Sequence, residues 1–553
     1  MRQQKSRKAL FFRRILAMKN KSDYVKVASY EAQKGEVKKV VLLYSGGLDT
    51  SVILKWIQEE YQTKVIALTI DIGQQAEDLK KIRQKALKLG ALKALVIDAK
   101  DEFADDYISK GIKANADYQK GYHLATPIGR PLLAKWAVEI AEKEGADAIA
   151  HGCTGKGNDQ VRIEGTALAL NPNIKIIAPV REWSLGRDEE LKYAEKHDIS
   201  VTQTAERIYS YDDNMWGISA EGGEIENPEL APPLEKILQV CRLVEKAPKR
   251  PEKITIEFFK GIPVRLNKKL MKLSDLIIAL NKKAAKHGIG VSVHIEDRVV
   301  GLKIRNVYEM PAAVTIIEAH RNLEKYVSTR WENKFKPIID NEWAYMCYSG
   351  LWYDPLMDNL NAYIDSVNQK VTGKVTIELY KGVARVVSLK APSSIFDEKL
   401  ATFMKSELFN QNASPGFIEL WTLQMKMAKR AERCALLSIG KLKNKKRLLS
   451  VVKSLAELGF KLFATKKTHK FLKKNKIRAV FLNKIGEKNK KPNINDYLDQ
   501  QRFDLIINIP TDSKKREKTD GQIIREKAIQ SKAVLITEPQ VAKALITKLK
   551  KSK

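Results

Sequence analysis

The chain has 553 residues and a formal net charge of +33, from 99 Lys and Arg residues against 66 Asp and Glu residues. At about 150 residues per domain, this length predicts three to four domains with room for a sizeable core. No apolar run approaches the about 18 residues that a membrane helix needs, which argues against an integral membrane protein. The four cysteines stand far apart without a CxxC spacing, so we expect neither disulfides nor a thiolate metal site, and a cytoplasmic location.

The positive charge is concentrated at the two ends of the chain. Residues 1–36 carry a net charge of +7 and residues 431–553 a net charge of +21, which leaves +5 for the 394 residues between them. A strongly basic protein is typically a binder of nucleic acids or anionic surfaces. Because the central part is nearly neutral, we do not expect nucleic-acid binding from the main body of the chain.

Residues 1–36 are predicted to form a basic N-terminal extension. Residues 1–20 contain a short apolar cluster but lack the long apolar core and the small-residue cleavage site of a secretory signal. A transit-like amphipathic helix and a disordered segment both fit residues 1–20, and we expect the disordered segment. Met18 is an alternative start site, because the basic cluster would then be absent.

The next segment, residues 37–205, has the alternating pattern of a parallel α/β sheet, and we assign it to a nucleotide-binding domain. A strand, a glycine turn, a helix and a second strand form its first unit. Apolar strands are predicted at residues 40–44, 65–70, 94–97, 146–150 and 174–180, with helices at residues 51–59 and 131–144.

Two further domains are predicted after this sheet. Residues 206–425 mix strands at 254–259, 375–379 and 383–389 with a helix at 273–287, which indicates an α+β domain. The basic, helix-prone segment 420–433 suits a connector, and we place the linker at residues 426–433. Five short apolar runs then alternate with helical spacers, which predicts a small α/β domain over residues 434–553.

The first motif that carries chemistry is Ser45-Gly46-Gly47-Leu48-Asp49-Thr50-Ser51, between a strand and a helix. Paired glycines let the backbone approach a polyphosphate, and hydroxyls with helix N-terminal amides donate hydrogen bonds to its oxygens. A capped Gly-Gly turn would explain the glycines alone. The motif is not a Walker A loop, and it resembles the pyrophosphate loop of ATP pyrophosphatases. That family includes amino-acid synthetases and tRNA-modifying enzymes, and the loop does not choose between them.

The second motif, residues 151–162 (HGCTGKGNDQVR), follows the predicted strand 146–150. Ligands of open parallel sheets collect at such carboxyl ends. Three glycines allow close approach of a ligand to the backbone. Thr154, Asn158, Asp159 and Arg162 suit both ends of an amino acid, since guanidinium and amide groups bind carboxylates and a carboxylate binds ammonium.

With this motif the chain resembles the argininosuccinate synthase family from about Val37 to Leu423. The resemblance implies an AMP-forming ligase of arginine biosynthesis that uses ATP with Mg²⁺, citrulline and aspartate, without a protein-bound metal, and that assembles as a homotetramer. It implies an ATP site at Tyr44, Ser45, Gly46, Gly47, Leu48, Asp49, Thr50, Ser51, Ile70, Gly152 and Gly155. It implies aspartate at Thr154, Asn158 and Asp159, and citrulline at Tyr122, Asn158, Arg162, Ser210, Ser219, Glu296 and Tyr308. The residues expected to act on the reacting groups are Asp49, Asn158, Asp159, Arg162 and Arg130.

Two residues depart from the family pattern. Pro127 stands where the family often has a serine that helps to hold citrulline, and Ile304 interrupts the usual Lys-Ser-Arg. Proline brings neither a hydroxyl nor an amide donor, so Pro127 does not supply that contact. These changes bear on substrate affinity more than on the type of reaction.

Five segments follow the connector: residues 435–439, 464–468, 483–484, 506–508 and 520–525. With these segments, residues 434–553 resemble the methylglyoxal-synthase-like domain that ends carbamoyl phosphate synthetase large subunits. Hydroxyls after a strand with a nearby lysine suit a phosphate, which points to Thr465, Thr468, Lys484 and Asn508. Turn and cap residues on a lysine-rich surface are the alternative explanation. His469 does not match the histidine that methylglyoxal synthase chemistry needs, so we expect a regulatory domain that senses a phosphorylated metabolite.

The alternative function is an ATP pyrophosphatase that acts on RNA in tRNA modification, or a basic nucleic-acid-binding protein. Such pyrophosphatases usually pair the loop with catalytic cysteines or an RNA-binding module. Here Cys153 lies inside the second motif and the chain has no CxxC. The mixed donors and acceptors of the second motif therefore favour the synthetase.

Overall fold

The structure is a computed structural model that describes residues 26–74, 78–183, 187–199, 208–402, 408–487, 490–510, 519–531 and 533–551. The chain divides into two compact units, residues 1–401 (unit 1) and residues 402–553 (unit 2). The expectations for residues 1–20 and for Met18 lie outside the described residues. Across the described ranges, no helix has both the length and the apolar character needed to span a bilayer.

The N-terminal part of unit 1 is a five-stranded parallel sheet covered by helices on both faces. The strands are β1 (Lys39–Leu43), β2 (Lys64–Asp71), β3 (Lys93–Asp98), β4 (Ala148–Ala150) and β5 (Lys175–Ile177), in the order β3-β2-β1-β4-β5. The helices are α1 (Leu48–Glu60), α2 (Leu79–Lys88), α3 (Lys100–Glu102), α4 (Ser109–Lys113), α5 (Ala125–Glu144), α6 (Asp159–Leu170), α7 (Pro179–Glu182) and α8 (Arg187–Lys196), with a π-helix at Phe103–Ile108.

The sequence of the central strand β1 is apolar after Lys39 because both of its faces are buried. Val41 packs in one hydrophobic cluster, whereas Val40 and Leu42 pack in another on the opposite face. The chain order reverses between β1 and its neighbour β4. The carboxyl ends of these two strands therefore flank the crevice in which open α/β sheets bind ligands.

The rest of unit 1 contains two antiparallel sheets and several long helices. The strands are β6 (Ser210–Asn214), β7 (Gly217–Glu221), β8 (Glu252–Phe259), β9 (Ile262–Leu266), β10 (Lys269–Leu270), β11 (Val291–Asp297), β12 (Lys303–Glu309), β13 (Gly373–Tyr380) and β14 (Val383–Lys390). They form the sheets β10-β9-β8-β13-β14 and β11-β12-β7-β6. The helices are α9 (Leu234–Ile237), α10 (Leu273–Lys286), α11 (Pro311–Val327), α12 (Arg330–Tyr348), α13 (Pro355–Asn368) and α14 (Glu398–Ala401).

Unit 2 contains a second parallel sheet with helices on both faces. The strands are β15 (Cys434–Ile439), β16 (Lys461–Thr465), β17 (Val480–Leu482), β18 (Leu505–Ile509) and β19 (Val534–Ile536), in the order β17-β16-β15-β18-β19. The helices are α15 (Ser414–Trp421), α16 (Leu423–Ala431), α17 (Leu442–Arg447), α18 (Leu449–Glu457), α19 (Lys466–Lys474), α20 (Ile494–Asp499), α21 (Asp520–Gln530) and α22 (Pro539–Lys551). The predicted α/β fold class is confirmed for this chain.

Several element boundaries differ from the predicted ones, and three of these differences involve a proline or the predicted connector. The strand predicted over 174–180 ends at Ile177, because Pro179 starts helix α7 at a position where a missing N–H costs nothing. Helix α5 begins at Ala125, six residues before the predicted start at Pro131, which lies inside it. The connector predicted as one helix is two helices that meet at Thr422, whose hydroxyl donates to the Ile418 carbonyl at 2.7 Å.

Candidate active site

The first motif forms the turn from β1 into α1, and its backbone is open to an anion. Gly46 adopts a φ of +80°, in the left-handed region that glycine enters at least cost. A Cβ atom there would lie 2.8 Å from Cγ1 of Ile82, so a larger residue does not fit without movement. Gly47 caps α1 without any side-chain hydrogen bond, which leaves the first amides of the helix for a ligand.

Hydroxyl groups line this turn. The Ser45 and Thr50 hydroxyl oxygens are 3.1 Å apart, as are those of Tyr44 and Ser51. Ser51 Oγ also donates to the Gly47 carbonyl at 2.6 Å, and burial raises the pKa of Tyr44. The predicted ATP residues 44–51 thus form one continuous turn, with Leu48 buried and Asp49 exposed in the first turn of α1.

Ile70, the remaining ATP residue outside the two loops, lies near the end of β2. Its side chain is buried and its carbonyl accepts a hydrogen bond from Gln74 Nε2 at 3.1 Å. Lys85, which the sequence did not indicate, donates to the Gly46 carbonyl at 2.9 Å and so ties α2 to the turn.

The second motif runs from β4 into α6 and lies against the first. A Cβ atom on Gly152 would be 2.9 Å from Ile53 Cδ1 and 3.8 Å from Thr50 Cγ2, both on α1. Gln160 stabilises the loop, because its Nε2 donates to the Gly155 carbonyl at 2.7 Å and to the Gly157 carbonyl at 3.3 Å. Thr154 and Gly155 remain exposed at the tip of the loop.

Asp159 begins α6 between two guanidinium groups. Its Oδ2 lies 2.8 Å from Arg130 Nη2 and its Oδ1 lies 2.8 Å from Arg162 Nη1. Arg130 also forms an ion pair with Asp212. Burial alone would raise the pKa of Asp159, but Arg130 and Arg162 outweigh it and hold the pKa below its usual range. The carboxylate is therefore ionised at neutral pH.

Aromatic rings form a wall beside this charged group. Tyr122 stacks on Tyr308 with ring centroids 3.9 Å apart, and Tyr118 stacks on Tyr348 at 3.6 Å. The amide of Asn158 donates to the Tyr348 hydroxyl at 2.8 Å. The backbone carbonyl of Tyr348 accepts from Arg162 Nε, also at 2.8 Å, so the end of α12 fixes the side chains of Asn158 and Arg162.

Glu296 lies at the end of a buried hydrogen-bond chain on the β11-β12 sheet. The Tyr308 hydroxyl donates to Glu296 Oε2 at 2.9 Å and accepts from Asn306 Nδ2 at 3.1 Å. Burial raises the pKa of Glu296, although Tyr308 and Arg162 act in the opposite direction. Tyr308 pairs in register with Ser219 of β7.

The predicted citrulline residues fall mostly into one place. Tyr122, Tyr308 and Glu296 form one contact group, and Asn158 and Arg162 join it through Tyr348. The Ser219 hydroxyl lies 3.4 Å from that of Thr126, whose amide donates to the Tyr122 hydroxyl. Ser210 is exposed at the start of β6, two residues before Asp212 and therefore on the same face of that strand.

Several residues of this site escaped sequence reasoning. Tyr348 and Tyr118 carried no signal, because nothing around either residue forms a motif. Asp212, the second partner of Arg130, follows Tyr211 in an ordinary strand. A buried charge such as Arg130 requires counter-charges, but the sequence does not say which carboxylates supply them.

In unit 2, the predicted phosphate residues lie at the carboxyl edge of the parallel sheet. Thr465 ends β16, and its hydroxyl lies 3.4 Å from that of Thr468 at the start of α19. Thr468 is fully buried and its Oγ1 accepts from the Ile439 amide at 3.1 Å. Asn508, on β18, accepts at Oδ1 from Arg525 Nη1 at 3.2 Å.

Lys484 follows strand β17 and is exposed. A second lysine, Lys445, follows strand β15. Lys484 Nζ is 3.4 Å from Asp520 Oδ2. Lys445, which sequence reasoning missed, is only 8% exposed and donates to the Gly440 carbonyl at 2.6 Å. Burial lowers the pKa of Lys445, as does the neighbouring charge of Lys467. The described carboxylates form no ion pair with Lys445, and such a cation favours a bound anion.

Comparison with known proteins now decides the family. The models for the Arginosuccinate synthase N-terminal HUP domain and C-terminal domain match residues 39–200 and 209–428. The argininosuccinate synthase of Pyrococcus furiosus is 51% identical over 390 residues, which are 70% of this chain and 94% of that protein. Those of Geobacillus kaustophilus and Brevibacillus brevis are 49% and 47% identical over 389 residues, 70% of this chain and 95% and 92% of those proteins. The chain belongs to the argininosuccinate synthase family.

As a member of the argininosuccinate synthase family, the chain is an AMP-forming ligase of arginine biosynthesis. Its homologues imply citrulline and aspartate as substrates, and the family is ATP-dependent. An MGS-like domain matches residues 447–537, which confirms the predicted resemblance of the C-terminal region. Among the described side chains, no group of three or more His, Cys, Asp or Glu is arranged to hold a metal ion.

Proposed function

We propose that the enzyme joins citrulline to aspartate through a citrullyl-adenylate. The ureido oxygen of citrulline attacks the α-phosphorus of ATP, and the bond to pyrophosphate breaks. The ammonium group of aspartate loses a proton, and the resulting amine attacks the activated ureido carbon. AMP leaves with the former ureido oxygen, and the newly bonded nitrogen loses a second proton. The uncapped N-terminus of α1 and the left-handed Gly46 support the placement of the ATP phosphates on the turn 44–51.

The observation that carries the proposed substrate site is Asp159 between Arg130 and Arg162. The ionised carboxylate suits the ammonium group of aspartate, and Thr154 and Asn158 offer further polar contacts. Citrulline would lie along the tyrosine wall, near Glu296 and Tyr308. The remaining proposed citrulline contacts are Tyr122, Asn158, Arg162, Ser210 and Ser219.

Catalysis in this proposal rests on positioning and charge, without a covalent nucleophile. Arg130 and Arg162 would offset negative charge that develops during the displacement, and Asn158 and Asp159 would orient the amine. Asp49 lies exposed in the first turn of α1, beside the proposed phosphates. Mg²⁺ would enter bound to ATP, because this ion commonly keeps its waters and binds through substrate phosphates and one or two carboxylates.

The proposed reaction is tested by pyrophosphate release and by isotope transfer. Release should require both citrulline and aspartate, and ¹⁸O placed in the ureido group should appear in AMP. AMP without the label would reject the adenylate. Pyrophosphate release that depends on RNA and proceeds without citrulline would instead support the alternative pyrophosphatase function.

We further propose that unit 2 binds a phosphorylated metabolite at Thr465, Thr468, Lys484 and Asn508, together with Lys445. Lys445 supports this site because it is buried and forms no ion pair with any carboxylate of the described residues. Nucleotide monophosphates should raise the melting temperature and change the rate. Lys445→Ala should abolish both effects, whereas Lys453→Ala, which removes an exposed lysine of α18, should not. An unchanged response in Lys445→Ala would reject the site.

We propose that the domain limits are those predicted from the sequence, namely 1–36, 37–205, 206–425, 426–433 and 434–553.

We also propose that the protein is a homotetramer. Helices α15 and α16 support self-association, because they expose a series of large apolar side chains: Phe417, Ile418, Leu420, Trp421, Leu423, Met425 and Met427. An apolar surface of this kind commonly marks a protein interface.

A further inference from the structure

The turn that joins β11 to β12, residues 298–302, has a defined shape. The Arg298 amide donates to the Leu302 carbonyl at 2.7 Å, and the Gly301 amide donates to the Arg298 carbonyl at 2.9 Å. Gly301 has a φ of +87°, in the left-handed region that favours glycine. The turn therefore presents its amides and side chains to neighbouring segments in one geometry.

This turn contacts the second motif at two points. Arg298 Nη1 donates to the Lys156 carbonyl at 3.2 Å. The Val299 amide donates to Asn158 Oδ1 at 2.9 Å. Residues 152–158, here called the 152–158 loop, are thus bonded to the turn by one side chain and one backbone amide.

The bond from the turn also fixes the orientation of the Asn158 amide. Asn158 Nδ2 donates to the Tyr348 hydroxyl at 2.8 Å, while Oδ1 accepts from the Val299 amide. These two bonds define the direction of the side-chain amide from both of its ends. Since Nδ2 carries two N–H groups, the second suits an oxygen of a bound substrate.

Arg298 is held between two acceptors. Its Nη2 donates to Glu221 Oε2 at 2.6 Å, at the end of β7. The Arg298 side chain is only 16% exposed, whereas that of Glu221 is 53% exposed. A guanidinium presents its N–H groups in a rigid plane, so the bond to Glu221 also directs the bond to the Lys156 carbonyl.

The strand end that carries the turn is fastened on its other side. The Tyr118 hydroxyl donates to the Asp297 carbonyl at 2.8 Å. Gln119 exchanges two hydrogen bonds with Asp297, from Nε2 to Oδ2 at 2.9 Å and from the Asp297 amide to Oε1 at 3.2 Å. The turn therefore starts from a fixed base, directly after Glu296.

We propose that Arg298 is a positioning residue that holds the 152–158 loop against the end of the β11-β12 sheet. Its two bonds join the Lys156 carbonyl to Glu221, and the neighbouring Val299 amide orients Asn158. Because Glu296 precedes Arg298 by two residues, one strand end supports both Glu296 and the loop. The inference rests on the proposed function in one respect, namely that the loop binds aspartate.

Amide hydrogen exchange in the full chain tests the positioning role. Arg298→Met removes the N–H donors and keeps an unbranched side chain. Arg265→Met is the matched control, because Arg265 donates to the Lys268 carbonyl at 3.4 Å and lies 3.7 Å from Glu257 Oε2.

We expect two amides to exchange about fivefold faster in Arg298→Met only: that of Gly157, which donates to the Thr154 carbonyl at 3.1 Å, and that of Val299. Unchanged exchange at both amides would overturn the inference. An equal acceleration in strands β8 and β13 would also overturn it, because it would show a general loss of stability.

Steady-state kinetics tests the substrate assignment separately. A loosened loop should raise the KM for aspartate about fivefold in Arg298→Met and change kcat less than about twofold, because binding is weakened before the chemical step. Arg265→Met should leave both values unchanged. Faster loop exchange with an unchanged KM would reject the assignment of aspartate to the loop, which belongs to the proposed function, whereas the exchange data alone decide the role of Arg298.

Discussion

Single charged residues in this active site depend on partners that come from distant parts of the chain. Asp159 is ionised because Arg130 on α5 and Arg162 on α6 approach it from two sides. Arg130 in turn needs Asp212 from β6. A buried charge is tolerated only when it is paired, so each member of this group constrains the others. Substitutions here should affect substrate binding and folding together.

Asp159→Asn is predicted to lower kcat/KM for aspartate about 100-fold, because the ammonium group loses its ionic partner and two arginines lose a counter-charge. Steady-state kinetics with each substrate varied in turn would measure this. Asp101→Asn is the matched control, since Asp101 pairs with Lys272 at 2.7 Å on the surface. A loss equal for aspartate and citrulline would contradict the assigned role.

Tyr308→Phe is predicted to move the acid limb of the kcat/KM profile for citrulline to higher pH, by roughly half a pH unit to one unit. Burial already raises the pKa of Glu296, and the Tyr308 hydroxyl opposes that effect. Without the hydroxyl the pKa rises further, so the ionised fraction of Glu296 falls at any given pH. An unshifted limb would show that the charge of Glu296 does not govern citrulline use.

At the scale of elements, the turn before α1 was predictable because each of its features is local. A strand, two glycines and a helix with hydroxyls in its first turn lie within a short stretch of sequence, so no distant residue is needed to define them. The boundaries of α5 and of the strand predicted over 174–180 were wrong. Proline alone does not distinguish the start of a helix from a position inside it, because packing of the surrounding residues decides how much distortion is tolerated.

Gly46→Ala is predicted to weaken ATP binding by about tenfold or more, because a Cβ atom would meet Ile82 and the residue would keep a left-handed φ. Gly145→Ala is the control, since Gly145 has a φ of +59° and no atom within 4 Å of an added Cβ. Both variants should be less stable than the unmodified protein by about 1 kcal/mol, because alanine is strained at a left-handed φ. Calorimetry with ATP should detect weaker binding only in Gly46→Ala; normal binding there would remove the turn from the ATP site.

At the scale of the whole molecule, the net charge of +33 was the first unusual property and proved to be unevenly distributed. The matched synthase region is nearly neutral, whereas the C-terminal region around the MGS-like match carries most of the excess. One phosphate site needs only a few of these lysines.

The double substitution Ile418→Glu and Trp421→Glu is predicted to reduce the oligomer to smaller species, because both side chains are more than half exposed on α15 and would be covered in a tetramer. Light scattering after size exclusion would measure the mass. Leu270→Glu is the control, as Leu270 is 64% exposed on β10. An unchanged mass would exclude α15 from the interface, and a monomeric unmodified protein would reject the proposed tetramer.

The sequence by itself determined the α/β fold class, the glycine turn between β1 and α1, and the family, because these depend on local patterns and short motifs. Only the tertiary structure decided that Tyr348 orients Asn158 and Arg162, that Asp212 pairs with Arg130, and that Lys445 is the buried lysine of a basic run. These contacts join residues that are far apart in the chain. No sequence pattern distinguishes these residues from the many others of the same types. The packing of helices and strands decides which residues contact each other, since only packing brings distant segments within hydrogen-bond distance.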